Sequence, residues 1–471
     1  MQTFKFLAMA AVALGITGSA FAQTLTIRIV ASNGDRTATQ TAIGNLLSRT
    51  AGGPSGTGWA FRGINGNVGY NNNTLVGSPA ATSTYTNANF GAWNGRIVSS
   101  GQDVIIKVSY AGALAGIQAV AGNVQQRFVV TDGTGSGTVP NPLTGTTQGT
   151  DYELGLADFG FSTNFQSTSP FNGTFQGVTY SPVVEENVGI SPLGFYASPG
   201  FPGSPSSSNP SYVPNITTQL VQQLYSGGVI SLAQITGDWD SDKNKLIYAI
   251  GRNVDAGQRF GAYLENGIGF NQVVSVWFPS YSTPQTTAGS FTYGGVVGTH
   301  QPWPIAQHPG SFSVIAGNGG YNSGANLAAV LTTTLGPDAY RLQYFDPDLG
   351  SNEYIYPDAT AGYYIGYLTP GDANTRVLGT TNGVPEANRG VALTYNGVAL
   401  TEANVKNGTY TAWLYNRILK PQSLTAGPVY EFANALRDRI ANFDAPSGGG
   451  IIDDATVRIL RTSDGGPVTG K

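Results

Sequence analysis

Short segments of alternating or continuous apolar residues recur along the chain, and segments with helical spacing follow them. Residues 24–32 (TLTIRIVAS) and 103–110 (DVIIKVSY) have the patterns of buried strands. The segments 38–50 and 111–122 place small and apolar residues at helical intervals, and residues 426–443 form an amphipathic helical pattern. Strands that alternate with helices predict an α/β protein.

Long polar segments interrupt this alternation. Residues 51–100 and 132–150 are rich in Gly, Asn, Ser and Thr, and we expect the first of them to be a large surface insertion with little helix. The low-complexity segment 198–215 predicts a loop or linker. Residues 216–239 predict two helical pieces that are separated at Gly227 and Gly228.

The composition changes the expected surface. Only 11% of the 471 residues are charged, against about 25% in an average soluble protein, and 65 residues are glycine. The polar surface must therefore consist mainly of uncharged side chains. With a net charge of −4 and no basic run or stripe, the sequence predicts no nucleic-acid partner.

The N-terminus predicts export. Residues 1–22 combine Lys5, an apolar run over 6–16 and a final Ala-Phe-Ala, which is the pattern of a cleavable secretory signal peptide. The chain has no cysteine, so disulfides, thiolate metal sites and an N-terminal lipid anchor on cysteine are not expected. The sequence predicts a periplasmic, secreted or cell-surface protein that carries no lipid anchor.

The segment 247–260 (IYAIGRNVDAGQRF) suits an anion. It predicts a strand, a single arginine, a turn and a helix with glycine in its first turn. A helix start offers unpaired N–H groups and partial positive charge, and the planar guanidinium of Arg252 adds a permanent charge. We interpret Arg252 as an anion clamp, with an ion pair between two parts of the molecule as the alternative.

Six segments, in order, resemble the periplasmic phosphate-binding proteins of ABC transporters. They are the N-terminal strand-turn-helix, 104–120, 156–163 (LADFGFST), 229–239, 251–260, and 303–331 followed by 363–368. The resemblance implies a two-lobed (type II) periplasmic-binding-protein-like fold that closes on a ligand in a cleft. It also implies a first lobe of residues 23–187 and 410–471, and a second lobe of residues 188–409.

The resemblance implies a ligand site, but with several replacements. Arg252 and Gly257 match the family's Arg-x-Asp-Gly-Ser-Gly-Thr loop, whereas Ala256 and Gln258 replace its Ser and Thr. Thr163 replaces the second Asp of Asp-Phe-Gly-x-Ser-Asp, and Leu114 or a neighbouring alanine replaces a serine of the second loop. The predicted ligand-binding residues are Ser32, Asn33, Asp35, Ser162, Thr163, Arg252, Gly257 and Gln258.

Structural alternatives remain open for several of these residues. Asn33 and Asp35 also suit a turn, and Ser162 and Thr163 also suit a cap at a strand end. Two lost hydroxyls weaken a phosphate site by roughly 10²-fold unless Gln258, Thr163 or water replaces them. Asp35 is a candidate for the acceptor that Thr163 no longer supplies.

The resulting functional prediction is a solute-binding protein, not an enzyme, with neither cofactor nor metal. It captures a small oxyanion, phosphate in the first place, for an inner-membrane ABC permease. The alternative is a surface or extracellular matrix protein that reuses the solute-binding fold with a degraded ligand pocket. A phosphate-ester hydrolase is the weakest candidate, because the sequence has no convincing nucleophile–base pair or metal cluster.

Overall fold

Two β-sheets organise the molecule, one of nine strands and one of six. We call the parts built on them the first lobe and the second lobe. The computed structural model describes residues 24–32, 34–48, 58–62, 68–71, 90–129, 152–270, 272–281, 294–304, 315–321, 323–379, 384–444 and 451–471. The predicted signal peptide, Asn33 and the loop 132–150 lie outside these residues.

The nine-stranded sheet is mixed. In spatial order its strands are β12 (Val183–Pro192), β24 (Trp413–Pro421), β9 (Phe159–Ser162), β1 (Leu25–Val30), β6 (Asp103–Ser109), β5 (Phe90–Ile97), β3 (Gly58–Arg62) and β4 (Val68–Asn71), with β2 (Leu47–Ser48) paired to β5. The central strand β1 is parallel to β6 and β9. Parallel neighbours need crossover connections, and these contain α1 (Arg36–Leu46) and α2 (Ala113–Ala121).

The segment 51–100 is more than a surface insertion. Its described residues include β3, β4 and β5, which extend the nine-stranded sheet in antiparallel fashion beyond β6. The aromatic and small apolar residues of β5 explain this, because Ala92 and Trp93 are fully buried. This weakly charged segment therefore forms strands of the sheet as well as loops.

The six-stranded sheet is the frame of the second lobe. In spatial order its strands are β14 (Asn215–Ile216), β23 (Val391–Tyr395), β13 (Gly194–Ala197), β22 (Ala361–Leu368), β16 (Lys245–Ala249) and β15 (Val229–Ser231). Strands β16 and β22 are parallel, and both carry continuous buried runs, as expected for strands covered on both faces.

Short helices cover the second sheet. They are α3 (Thr218–Gly227), α4 (Ala233–Thr236), α5 (Trp239–Asp242), α6 (Gly257–Glu265), α7 (Gly324–Val330), α8 (Pro337–Tyr340), α9 (Pro370–Asp372) and α10 (Glu402–Lys406). The predicted break after α3 is confirmed, since Gly228 has φ 81°. The second predicted helical piece is wrong at its start, because Val229–Ser231 pairs with β16 as strand β15.

Small antiparallel elements and one further helix complete the described structure. The strands are β7 (Gln126–Val129) with β8 (Tyr152–Gly155), β10 (Gly173–Phe175) with β11 (Val178–Tyr180), β17 (Trp277–Tyr281) and β18 (Val296–Pro302) with β19 (Thr334–Leu335), β20 (Gln343–Asp346) with β21 (Ser351–Tyr354), and β25 (Ile459–Leu460) with β26 (Thr469–Gly470). The amphipathic helix predicted near the C-terminus is confirmed as α11 (Pro428–Arg439), which buries Phe432, Ala433 and Leu436.

The chain crosses between the lobes along the antiparallel pair β12 and β24. Strand β12 belongs to the first sheet and leads directly into β13 of the second, while β24 returns the chain from the second lobe. Trp413 and Leu414 of β24 also pack in the second-lobe core. The predicted two-lobed α/β architecture is confirmed. No helix among the described residues is long and apolar enough to span a membrane.

Candidate functional site

The start of helix α6 faces the first lobe directly. A Cβ atom at Gly257 would lie 2.0 Å from the Thr163 hydroxyl oxygen, and 2.6 Å from both the Ala113 Cβ and the Asn164 Oδ1. Such distances are too short for any side chain, so only glycine permits this approach. The helix start, which the sequence predicts as an anion site, is therefore covered by side chains of the first lobe.

The loop after β9 is built around Ser162. Ser162 is fully buried, and its Oγ accepts a hydrogen bond from the Asn164 backbone N–H at 3.0 Å. The Asn164 amide group in turn donates to the Gly257 carbonyl oxygen at 3.4 Å. These contacts agree with the alternative role of Ser162 as a cap at the strand end. A ligand contact of Ser162 stays a prediction.

Arg252 lies three residues after β16, before the turn that leads into α6, and is only 3% exposed. Its Nε donates to the Tyr321 carbonyl oxygen at 2.9 Å, and its Nη1 donates to the side-chain oxygen of Gln258. Its backbone N–H donates to the Tyr367 hydroxyl at 3.1 Å. Burial lowers the pKa of Arg252, and the nearby Asp372 acts in the opposite direction. Gln258 therefore orients the predicted anion clamp.

Arg259 holds the loop that carries Arg252, a role that the sequence pattern did not suggest. It is buried, and its Nη1 donates to the carbonyl oxygens of Arg252 at 3.1 Å and Gly319 at 2.7 Å. Its Nη2 donates to the Asn318 side chain at 2.5 Å. The sequence offers one indication of this role, which is the position of Arg259 in the first turn of α6. Cations are unfavourable near a helix N-terminus unless other groups bind them.

Asp35 is buried on the first-lobe side of the cleft, at 1% exposure. No described donor makes a well-formed hydrogen bond to either oxygen of its carboxyl group. Burial raises the pKa of Asp35 to about 7, while the hydroxyl and amide of Ser32 act to lower it. Ser32 also forms the turn, since its Oγ accepts from the N–H groups of Gly34 at 3.1 Å and Asp35 at 3.3 Å.

Arg36 follows Asp35 and is the main site residue that sequence reasoning missed. It is the first residue of α1, and its guanidinium carbon lies 5.5 Å from the centroid of the Tyr110 ring. Its charge interacts with Tyr110 on its own lobe and with Asp372 and Arg252 of the second lobe, while burial lowers the pKa of Arg36 to about 10. Its position in the first turn of α1 is again the indication in the sequence that other groups bind this arginine.

Asp372 completes this group on the second lobe. Its Oδ1 accepts from the Arg376 Nη1 at 3.1 Å. Its Oδ2 and the Arg252 Nη1 lie 2.1 Å and 3.6 Å, respectively, from the position that a Cβ of Gly324 would occupy, so both approach the start of α7. The charges of two arginines from opposite lobes thus interact with one carboxylate, so positive charge is in excess among these three groups.

The described residues contain no group of three or more His, Asp or Glu side chains able to hold a metal ion. The acidic segment 238–242 instead forms α5. Asp242 is buried there and makes an ion pair with Lys245 at 2.8 Å. The other four residues of the segment, 238–241, are exposed.

Several solved structures are similar to this one. An ABC-type phosphate transport receptor from Vibrio cholerae has a TM-score of 0.36 at 12% identity, over 74% of this chain and 87% of its own. A protein assigned as a phosphate ABC transporter substrate-binding protein, with bound phosphate, from Clostridium perfringens has a TM-score of 0.39 at 11% identity, over 91% and 99%. No family model and no curated protein matches the chain.

These solved structures belong to the class that the sequence segments resemble. Both TM-scores are below 0.5, so the ligand and the site of this chain have to follow from its own geometry. That geometry separates two parts of the cleft. One is the start of α6 with Thr163, Asn164 and Gly257. The other is the pair Arg36 and Arg252, which we call the arginine pair.

Proposed function

We propose that this chain is an exported solute-binding protein that captures a small oxyanion, phosphate in the first place, between its lobes. The arginine pair carries the proposal, because the charge of Arg36 on the first lobe interacts with those of Arg252 and Asp372 on the second. Like charges in a buried cleft repel each other, and an anion between them removes that penalty. A ligand captured between the lobes therefore stabilises their closed arrangement.

Asp35 sets the pH range of capture in this proposal. Below its pKa of about 7 the carboxyl group is protonated, so it can donate a hydrogen bond to an oxyanion. Above that pH the carboxylate is charged and repels an anionic ligand. Binding is therefore strongest on the acidic side of neutrality.

The predicted signal peptide and transporter belong to the same proposal. Residues 1–22 direct the chain out of the cytoplasm, and an ABC permease in the inner membrane receives the ligand. The chain itself carries out no chemical reaction on the ligand. Western blots of the periplasmic fraction, with and without residues 1–22, test the export step.

Calorimetric titration of the mature protein with phosphate, sulfate and arsenate tests the binding step. Each charge-assisted hydrogen bond contributes about 1.5–3 kcal/mol, so Arg252→Met should weaken binding by roughly 10- to 100-fold. The matched control is Arg127→Met, because Arg127 is exposed on β7. Absence of heat with all three anions between pH 5 and 8 would refute oxyanion capture.

A second candidate function is a structural protein of the cell surface that reuses this fold. The observation in its favour is the close packing between the lobes, where Phe260 of α6 packs in one core cluster with Leu114 and Ile117 of α2. Exposed apolar side chains around the hairpin β20–β21, among them Phe345 and Leu349, suit contacts between copies. Sedimentation of the purified protein tests it, and a monomer up to high concentration would exclude it.

A further inference from the structure

We infer that residues 451–471, which we call the C-terminal strap, lock the two lobes in their closed arrangement. The strap follows α11 of the first lobe, yet it contacts both lobes and the crossing strand β12. This inference concerns the motion of the lobes, and it does not depend on which ligand they hold.

The strap is first fixed to β12. The backbone groups of Ile452 and Ile190 exchange two hydrogen bonds, at 2.9 Å and 2.7 Å. A Cβ at Gly189 would lie 2.1 Å from a methyl carbon of Ile451, so the strap packs closely on the crossing strand. This end of the strap therefore lies at the connection between the lobes.

Asp464 anchors the strap to the first lobe. It is 6% exposed, and its Oδ2 accepts from the Phe165 N–H at 2.8 Å and from the Thr168 hydroxyl at 2.6 Å. Phe165 and Thr168 lie in the loop after β9, which also carries Thr163 and Asn164. The strap thus holds the same loop that covers the start of α6.

Arg461 anchors the strap to the second lobe. Its side chain is buried, and its Nη1 makes an ion pair with the Glu265 Oε2 at 2.9 Å, at the last residue of α6. Ile459 packs in the second-lobe core, and the Arg458 N–H donates to the Lys406 carbonyl oxygen at 2.9 Å. The strap is therefore part of the second lobe's interior as well.

The two anchors lie too close together in sequence to permit separation of the lobes. Arg461 and Asp464 are three residues apart, a distance that a fully extended chain spans with only about 10 Å. Directly after Asp464 the chain packs against the end of α6. A Cβ at Gly465 would lie 2.2 Å from the Leu264 carbonyl oxygen. Any opening that moves α6 away from the loop after β9 must break one anchor.

Breaking either anchor is unfavourable for a physical reason. Removal of one partner from a buried ion pair or hydrogen-bonded carboxylate leaves the other charge buried without compensation. The lobes of this chain should therefore stay closed without ligand. Ligand exchange then requires transient release of the strap.

Distances between spin labels test the inference without any ligand. Thr37 and Gly371 are exposed on opposite lobes, beside Arg36 and Asp372. Cysteines introduced there by Thr37→Cys and Gly371→Cys are the only ones in the chain, because the sequence has none. Double electron–electron resonance should give one short distance for the otherwise unchanged protein.

Asp464→Ala and Arg461→Met, each in the labelled protein, should raise the open population by about tenfold or more. Arg458→Met is the matched control within the strap, since Arg458 is exposed, and it should leave the distance distribution unchanged. A broad or long distance in the unchanged protein, or equal distributions in the three variants, would overturn the inference.

Hydrogen exchange of the unchanged protein keeps the inference testable if the anchor variants do not fold. The N–H groups of Ile452 and Arg458 in the strap, and of Phe165, which donates to the strap, form hydrogen bonds. They should be as protected from exchange as the N–H groups of β1 and β6. Fast exchange of these three N–H groups beside a protected core would contradict a locked strap. A failure of phosphate binding would leave both results unaffected, so the two proposals fail separately.

Discussion

The start of α6 and the arginine pair lie in the same cleft but have opposite character. At the start of α6, the protein's own Thr163 and Asn164 approach Gly257 so closely that no side chain fits there. At the arginine pair, Arg36 and Arg252 bring like charges together across the lobes. In this cleft the helix start is therefore a packing contact, and the charge is concentrated beside it.

The side chains around the helix start agree with this contrast. Ala256 and Gln258 offer no hydroxyl groups there, and Gln258 accepts from Arg252. Thr163 lacks a charge that would be buried against the helix start. Each of these residues suits a contact between protein groups better than it suits a phosphate at that position.

The largest expected effect concerns Asp35 and pH. A carboxyl group whose folded pKa lies above its unfolded value stabilises the protein most below the unfolded pKa, and this stabilisation is lost as pH rises through about 7. A shift from 3.8 to about 7 corresponds to about 4 kcal/mol. Asp35→Asn should raise the free energy of unfolding at pH 8 far more than at pH 4.

Urea denaturation of both proteins at the two pH values measures this effect. Asp338→Asn is a suitable control, because Asp338 is exposed on α8. An equal gain for Asp35→Asn at both pH values would show that the carboxyl group is not penalised by burial.

The next largest effect concerns Arg259, which supports Arg252 from beneath. Arg259→Met leaves the carbonyl oxygens of Arg252 and Gly319 without their donor. Each unsatisfied buried group costs about 1–3 kcal/mol, so we expect a loss of about 3 kcal/mol in unfolding free energy. Guanidinium denaturation against Arg127→Met measures it, and a loss equal to that of this control would contradict the supporting role.

A smaller loss is expected at the start of α6. Gly257→Ala forces a methyl group against Thr163 and Ala113, and overpacking of this kind costs about 1–3 kcal/mol. The control is Gly227→Ala at the end of α3, where a Cβ meets nothing within 4 Å. Thermal unfolding should separate the two variants, and an unchanged melting temperature for Gly257→Ala would mean that the lobes are further apart there.

The free energy of unfolding should also depend on His300, and this contribution decreases as pH falls, opposite to that of Asp35. His300 is buried against Tyr248 and Trp277, and burial lowers the pKa of its ring to about 3. A histidine with a lowered folded pKa destabilises the fold as pH falls below its unfolded pKa of about 6.5. His300→Gln should therefore flatten the acid limb of the stability profile between pH 6.5 and 4, and an unchanged limb would contradict this assignment.

Local pattern predicted much of the fold. The strands β1, β6 and β16, the break after α3 and the helix α11 follow from apolar spacing and glycine position. Strand β15 was missed because Val229–Ser231 is too short to show a period of its own. Its structure depends on pairing with β16, which lies further along the chain.

The site was predictable only in part, because its charges come from distant segments. Arg252 and its strand–turn–helix context are local features, and the sequence pattern predicts them. The approach of Arg36 to Asp372 depends on how the lobes pack, and no local pattern encodes it. The same holds for the C-terminal strap, whose anchors Arg461 and Asp464 resemble ordinary surface charges in the sequence.

The most direct test compares Arg36→Met with Thr163→Ala in phosphate binding at pH 6, by calorimetry. If the arginine pair holds the anion, Arg36→Met weakens binding by roughly 10- to 100-fold, as expected for one charge-assisted hydrogen bond, and Thr163→Ala changes it by less than about threefold. Strong loss with Thr163→Ala and none with Arg36→Met would place the anion at the start of α6 and contradict this account.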